Sequence, residues 1–247
     1  MAKALECFDL VVIGGGSAGL SAAAGGALFG AKTLLIERAE KDLGGDCLNA
    51  GCIPSKTFIR AAHVAQTVRH ADRFGVKASL GGIDFKTFWE RWQAVKASAG
   101  KHDTRARFEG LGCTVKFGAA RFSGKDRLSL NGEELRFKRC LIATGSRAAD
   151  PGIPGLKEIG CLTNHELFHS LKKIPASLIV IGGGPIGCEM AQAFQRLGSQ
   201  VTLVQHGARL LPREDADAAA VLLEVFQREG ITVLLQAQVQ SAFSANG

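Results

Sequence analysis

Two cysteines with four residues between them, Cys47 and Cys52 in the stretch GGDCLNAGCIPSK, are the residues of this chain best suited to chemistry. A close thiol pair can act as a redox couple or supply half of a metal site. On a regular helix, residues five apart hold their Cα atoms about 8–9 Å from one another, beyond the roughly 7 Å that a disulfide tolerates. A bonded pair therefore requires a distorted segment. Asn49 and Gly51 suit such a turn, and Pro54 suits the first turn of the helix that follows. Cys52 then lies at a helix N-terminus, where a thiolate is stabilised. The metal alternative needs about four ligands for zinc. Cys113, Cys140, Cys161 and Cys188 stand singly, and His63, His70, His102, His165, His169 and His206 show no ligand spacing. No metal site is expected, and the isolated cysteines read as small apolar fillers.

Glycine-rich turns supply the second kind of chemistry. Gly14, Gly16 and Gly19 follow an apolar run and open a helical pattern. In that context the first glycine permits a tight turn, the second lets a pyrophosphate approach the backbone, and the third lets helix and strand pack closely. Glu37, at the end of the next apolar run, is placed to accept hydrogen bonds from a ribose diol. Gly182, Gly184 and Gly187 repeat the pattern. The offset that leads from Gly14 to Glu37 leads from Gly182 to Gln205, so the carboxylate is missing. A neutral residue removes repulsion against a 2′-phosphate, and His206 and Arg209 are near enough in sequence to approach one. This leans toward NADP(H) over NAD(H).

These groups need elements to hold them, and the chain carries an internal echo. FDLVVIGGGSAGLSAAAGGALFGAKTLLIER resembles ASLIVIGGGPIGCEMAQAFQRLGSQVTLVQH, each reading as strand, glycine turn, helix and strand. The apolar runs Leu10–Ile13 and Leu178–Ile181 lack alternation, as expected of parallel strands covered on both faces. Between the two βαβ units, Ser55 to about Ala71 and Asp84 to about Gly110 read as long helices. Phe85, Phe88, Trp89 and Trp92 fall at helical spacing and read as core. Short alternating segments follow, with a hairpin turn at Asn131–Gly132. The segment AADPGIPG (Ala148–Gly155) is the expected linker. It divides the chain into 1–149, a dinucleotide-binding domain with the cysteine pair, and 150–247, a second dinucleotide-binding domain. Glu214–Arg228 reads as an amphipathic helix and ITVLLQAQV as a strand after it. The fold class is α/β, with two Rossmann-like domains in three layers.

Composition narrows the function classes. The chain has 247 residues with 46% hydrophobic content and can bury a core. Its formal charge of +7 comes from scattered Lys and Arg with no basic run. Nucleic acid is therefore not an expected partner, and phosphate-bearing cofactors account for the sign. No segment has the length of a membrane span or the build of a signal peptide. An odd count of seven cysteines argues against a disulfide framework. A cytoplasmic protein without a membrane partner is expected. Two dinucleotide sites and one close thiol pair together describe an electron relay: nicotinamide to flavin, flavin to disulfide, and thiols to an acceptor.

The same residues closely resemble the pyridine nucleotide–disulfide oxidoreductases, a flavoprotein family that includes dihydrolipoamide dehydrogenase, mercuric reductase and glutathione reductase. GGDCLNAGCIPSK carries most of the resemblance, and LIATGS (Leu141–Ser146) matches a second motif of the flavin domain. The resemblance implies FAD on the first domain and NAD(P)H on the second. Cys47 would be the thiol that exchanges with substrate, Cys52 the thiol that contacts the flavin, and Lys56 a residue near the flavin ring, paired with Glu189. FAD contacts would extend over Gly14, Gly16, Ser17, Ala18, Gly19, Glu37, Arg38, Gly45, Asp46, Lys56, Ala143, Thr144 and Gly145. Those of the nicotinamide coenzyme would fall on Gly182, Gly184, Pro185, Ile186, Gly187, Gln205, His206 and Arg209. IPSK points to the lipoamide dehydrogenase and mercuric reductase branch, so the acceptor would be a small disulfide or a metal ion. The family's dimerisation domain, with its His–Glu pair, has no counterpart here. The chain reads as an N-terminal portion of a homodimeric enzyme, with a catalytically incomplete nucleotide-binding remnant or a diaphorase as alternatives.

Overall fold

A computed structural model describes residues 5–245, which form two compact units. The first comprises the described residues up to Pro54 together with Ala94–Ala148. It opens with β1 (Cys7–Ile13), α1 (Ser17–Leu28) and β2 (Thr33–Glu37), followed by α2 (Gly45–Asn49) and the start of α3 (Cys52–Arg69). The chain re-enters it within α4 (Phe85–Gly100) and continues through α5 (Arg105–Gly110), β3 (Thr114–Phe117), β4 (Arg121–Gly124), β5 (Arg127–Leu130) and β6 (Glu133–Ile142). The sheet order is β3-β2-β1-β6-β5-β4, with β1 parallel to β2 and to β6.

β1 is central because its residues are apolar on both faces, which leaves no face for water. Val12 packs with Leu20 and Ala23 of α1, while Phe8 and Val11 pack under Leu128, Leu130 and Leu135 of the antiparallel strands. The expected hairpin lies between β5 and β6. Asn131 and Gly132 have φ of 52° and 86°, and Leu130 pairs with Glu133 across them. Positive φ at both central residues is what the type I′ two-residue hairpin turn requires.

The second unit comprises Ser55–Gln93 and the described chain from Ala149 onward. It contains α6 (Asn164–Ser170), β7 (Ser177–Ile181), α7 (Pro185–Arg196), β8 (Gln200–Val204), α8 (Ala216–Arg228) and β9 (Thr232–Leu234). Its three strands are parallel in the order β7-β8-β9. Phe58 of α3 and Trp92 of α4 are buried in one cluster with Phe194 of α7 and Phe226 of α8. The compact units therefore do not follow a single cut at residue 149. The helical excursion 55–93 belongs with the second unit because its apolar face is buried there.

Two elements differ from the sequence reading. The helix expected over Asp84–Gly110 is two helices, because Thr104 caps a fresh start: its side chain accepts from the Arg107 amide at 3.3 Å. The strand expected over ITVLLQAQV stops after Leu234. Gln236 adopts φ 53° and the Gln236 and Ala237 amides turn to Gly207 and Gln205. Among the described residues no helix is long and apolar enough to cross a membrane.

Candidate functional site

The first glycine turn is built by strand β1 delivering its chain end against β6. Gly14 has φ +109°, and a Cβ there would lie 2.2 Å from the Ala143 carbonyl oxygen. The Ala143 amide in turn donates to Ile13 at 2.8 Å. The motif LIATGS is thus fixed to the glycine turn by backbone, with Thr144 and Gly145 exposed beyond it. A Cβ on Gly19 would come within 1.7 Å of the Gly14 carbonyl oxygen, so the helix approaches the strand as closely as backbone allows. Gly16, the N-cap of α1, carries no side-chain cap. The first-turn amides of Ser17, Ala18 and Gly19 have no partner within the helix, the arrangement that suits an anion.

Glu37 ends β2 beside this turn. One carboxylate oxygen accepts from the Gly15 amide and the other from the Arg38 amide, both at 2.6 Å. Each oxygen keeps a lone pair for a ribose hydroxyl. Arg38 itself lies on Asp42, at 2.8 Å, on the surface.

The cysteine segment starts on the same turn. The Gly44 amide donates to Gly15 at 2.9 Å, and a Cβ on Gly45 would lie 2.6 Å from the Gly16 Cα. Asp46 and Cys47 lie in α2, which ends at Asn49; the Ala50 and Gly51 amides both fold back to the Asp46 carbonyl. α3 then begins at Cys52, with Pro54 in its first turn. The distortion expected between the cysteines is therefore present, and Cys52 stands at a helix start. The two thiols interact directly. Both are free, with Cys47 half-buried and Cys52 exposed. Burial pushes the Cys47 thiol above its ordinary value, its contact with Cys52 and the charge of Asp103 add to this, and Ser17 acts in the opposite direction.

Cys47 opens into a cleft of about 390 Å³, whose walls include Ser17, Ser21, Leu48, Asp103 and Arg107. Asp103 and Arg107 were not among the expected site residues. They reach the cleft because the chain breaks between α4 and α5, a break that the continuous apolar pattern concealed.

In the second unit the same construction recurs. Gly182 has φ +106°, and a Cβ on Gly187 would lie 2.0 Å from the Gly182 carbonyl oxygen. Gly184 caps α7 without a side chain, Pro185 occupies the first turn, and Pro185 and Ile186 are exposed. Gln205 accepts from the Gly183 amide at 2.9 Å, the bond that Glu37 makes to Gly15. His206 is exposed, and the Arg209 guanidinium donates to the Pro212 carbonyl at 3.0 Å. Glu189, on α7, holds Lys56 of α3 at 2.5 and 2.6 Å. The pair is about half exposed, a setting in which an ion pair contributes at most about 1 kcal/mol. Its interest is therefore positional.

Uncapped helix starts, glycines packed against backbone and an acceptor at each second-strand end fit two dinucleotides, FAD among them. Comparison with known proteins agrees. The family model described as pyridine nucleotide-disulphide oxidoreductase matches residues 8–247. The dihydrolipoyl dehydrogenase of Acholeplasma laidlawii is 36% identical over 240 residues, 94% of this chain and 70% of that protein. A mercuric reductase of Serratia marcescens is 38% identical over 249 residues, covering 97% of this chain and 53% of its own length. The copper(II) complex of the HOCl-induced flavoprotein disulfide reductase RclA from Escherichia coli superposes with a TM-score of 0.79 at 30% identity, over 94% of this chain and 50% of that one. The chain spans about half the length of most of these relatives. On this match, the glycine turns and the cysteine segment together, the chain belongs to the pyridine nucleotide-disulphide oxidoreductase family.

Proposed function

We propose that this chain forms the flavin- and nicotinamide-binding part of a reductase that passes electrons from NAD(P)H through FAD to Cys47 and Cys52, and on to a small disulfide or a metal ion. The observation that carries the reading is the placement of the two thiols together, on the first glycine turn, with Cys47 facing a cleft. The first unit would hold FAD through Gly14, Gly16, Ser17, Ala18, Gly19, Glu37, Arg38, Gly45, Asp46 and Ala143–Gly145, with Lys56 at the flavin ring. The second would hold the nicotinamide coenzyme through Gly182, Gly184–Gly187, Gln205, His206 and Arg209. When bound, the flavin supplies two-electron transfer between the nicotinamide and the disulfide.

The chain's own residues then perform thiol–disulfide exchange. The Cys47 thiolate attacks one sulfur of a substrate disulfide and expels the first thiol. Cys52 attacks the Cys47 sulfur of the mixed disulfide, expels the second thiol and closes the Cys47–Cys52 bond. Two electrons and two protons reach the substrate. Glu189 holds Lys56 in place. The neutral Gln205, with exposed His206 nearby, supports NADPH as the preferred coenzyme. A homodimer, a cytoplasmic setting and independence from nucleic acid and membranes belong to the same reading.

The test is Cys47→Ser in the FAD-loaded protein. NADPH-dependent reduction of a dye is expected to survive while reduction of lipoamide or 5,5′-dithiobis(2-nitrobenzoate) falls at least about a hundredfold. Loss of neither activity would remove Cys47 from the reaction.

A further inference from the structure

A cleft in the second unit lies at the far end of α7 from its glycine turn, about 18 Å away at 1.5 Å per residue. It encloses about 790 Å³ and is walled by Arg69, His70, Arg73, Arg196, Arg228 and Glu229, among others. No step of the proposed reaction uses it.

Its floor is fixed. Arg196 and Glu229 form a bidentate pair at 2.5 and 2.8 Å, with both side chains largely buried. Arg69 donates to the Arg196 carbonyl. Arg69 is thus occupied at the end of α7, the ordinary work of a basic residue there, and Arg196 in the ion pair. Arg73 and Arg228 are not: among the described residues neither guanidinium has an ion pair or hydrogen bond. The charge balance decides between a capping cluster and a site. Four guanidinium groups face one carboxylate and the C-terminal ends of α3, α7 and α8, each worth roughly half a negative charge. An excess of one to two positive charges remains, concentrated on the two free arginines.

We propose that this cleft binds a phosphate-bearing anion of up to nucleotide size, with Arg73 and Arg228 as the groups that grip it and the Arg196–Glu229 pair as its rigid floor. Guanidinium forks match phosphate oxygens bidentately, and two of them lining one cleft suit a ligand with more than one phosphate.

The test is calorimetric titration of inorganic triphosphate into the 247-residue chain with FAD and NADP⁺ in excess, so that the glycine turns are filled. Submillimolar binding at 25 mM NaCl is expected, weakening severalfold at 200 mM NaCl. The pair Arg73→Ala with Arg228→Ala should weaken binding at least tenfold. Arg73→Lys with Arg228→Lys should recover only part of it, because an ammonium keeps the charge and loses the fork, and circular dichroism reports whether each variant folds. Absence of binding at 5 mM triphosphate would overturn the proposal. So would a loss that follows Arg209→Ala and spares the Arg73 and Arg228 variants, since the anion would then occupy the second glycine turn.

Discussion

The two glycine turns are built bond for bond alike and stand in unlike surroundings. Each has a first glycine near φ +107°, a third glycine pressed on the carbonyl of the first, and a second-strand acceptor on the amide between. Leu43 and Leu210 even close over Gly15 and Gly183 from the same side. The strands that feed them differ. β1 lies between β2 and β6, whereas β7 is an edge of its sheet among the described residues. Ile179 and Ile181 of β7 are 69% and 42% exposed, while Val11 and Val12 of β1 are fully buried. The local turn is therefore dictated by its glycines, and the sheet around it adds stability without shaping it.

That contrast is sharpest at the first glycines. A Cβ at Gly14 meets the Ala143 backbone at 2.2 and 2.7 Å; one at Gly182 meets nothing within 4 Å. Both positions carry the left-handed strain of about 1–2 kcal/mol that a side chain suffers at positive φ. Only Gly14 adds a backbone clash. In urea unfolding, Gly14→Ala should cost upward of about 4 kcal/mol, and Gly182→Ala about 1–2 kcal/mol. Equal losses would mean that neighbouring strands do not matter to these turns.

The turns, the alternating hairpin and the distortion between the cysteines were legible in the sequence, because each rests on residues close in the chain with special backbone needs. What depends on distant packing was not. Periodicity shows that Phe58 and Trp92 are buried, yet says nothing of their partners Phe194 and Phe226. Thr104 starts α5 without a Glu or Gln three residues on, so the break that brings Asp103 to Cys47 carried no strong signal. The Lys56–Glu189 pair spans 133 residues and was foreseen through family resemblance alone.

The residue after the third glycine sharpens the comparison further. It is Leu20 in the first turn and Cys188 in the second, both buried. The Cys188 thiol donates to the Gly183 carbonyl at 3.4 Å, and burial pushes it from 9.0 up to about 11. The folded thiol keeps its proton to higher pH than the unfolded one. Above the ordinary thiol range the unfolded state thus binds fewer protons, and stability falls as pH rises. Two pH units correspond to about 2.7 kcal/mol lost between pH 9 and 11. Cys188→Ala should remove about that much of the alkaline decline in urea melts. A decline of unchanged size would place its origin elsewhere, in the first unit's raised Cys113 and Cys140 thiols.

The smallest expected effect exchanges the one acceptor that differs. Glu37 and Gln205 receive the same kind of amide, at 2.6 and 2.9 Å, and differ by a charge. Gln205→Glu should keep the bond to Gly183, because the carboxylate has an oxygen where the amide has one, so folding should change by less than about 0.5 kcal/mol. It would set a negative charge where a 2′-phosphate is proposed to lie and offer a ribose diol a second acceptor. The ratio of kcat/KM for NADH to that for NADPH should rise about tenfold, equivalent to about 1.4 kcal/mol of discrimination. Should the ratio stay fixed while NADPH oxidation persists, coenzyme choice does not pass through this position. His206 and the exposed Arg209, freed from Pro212, would then be the next residues to change.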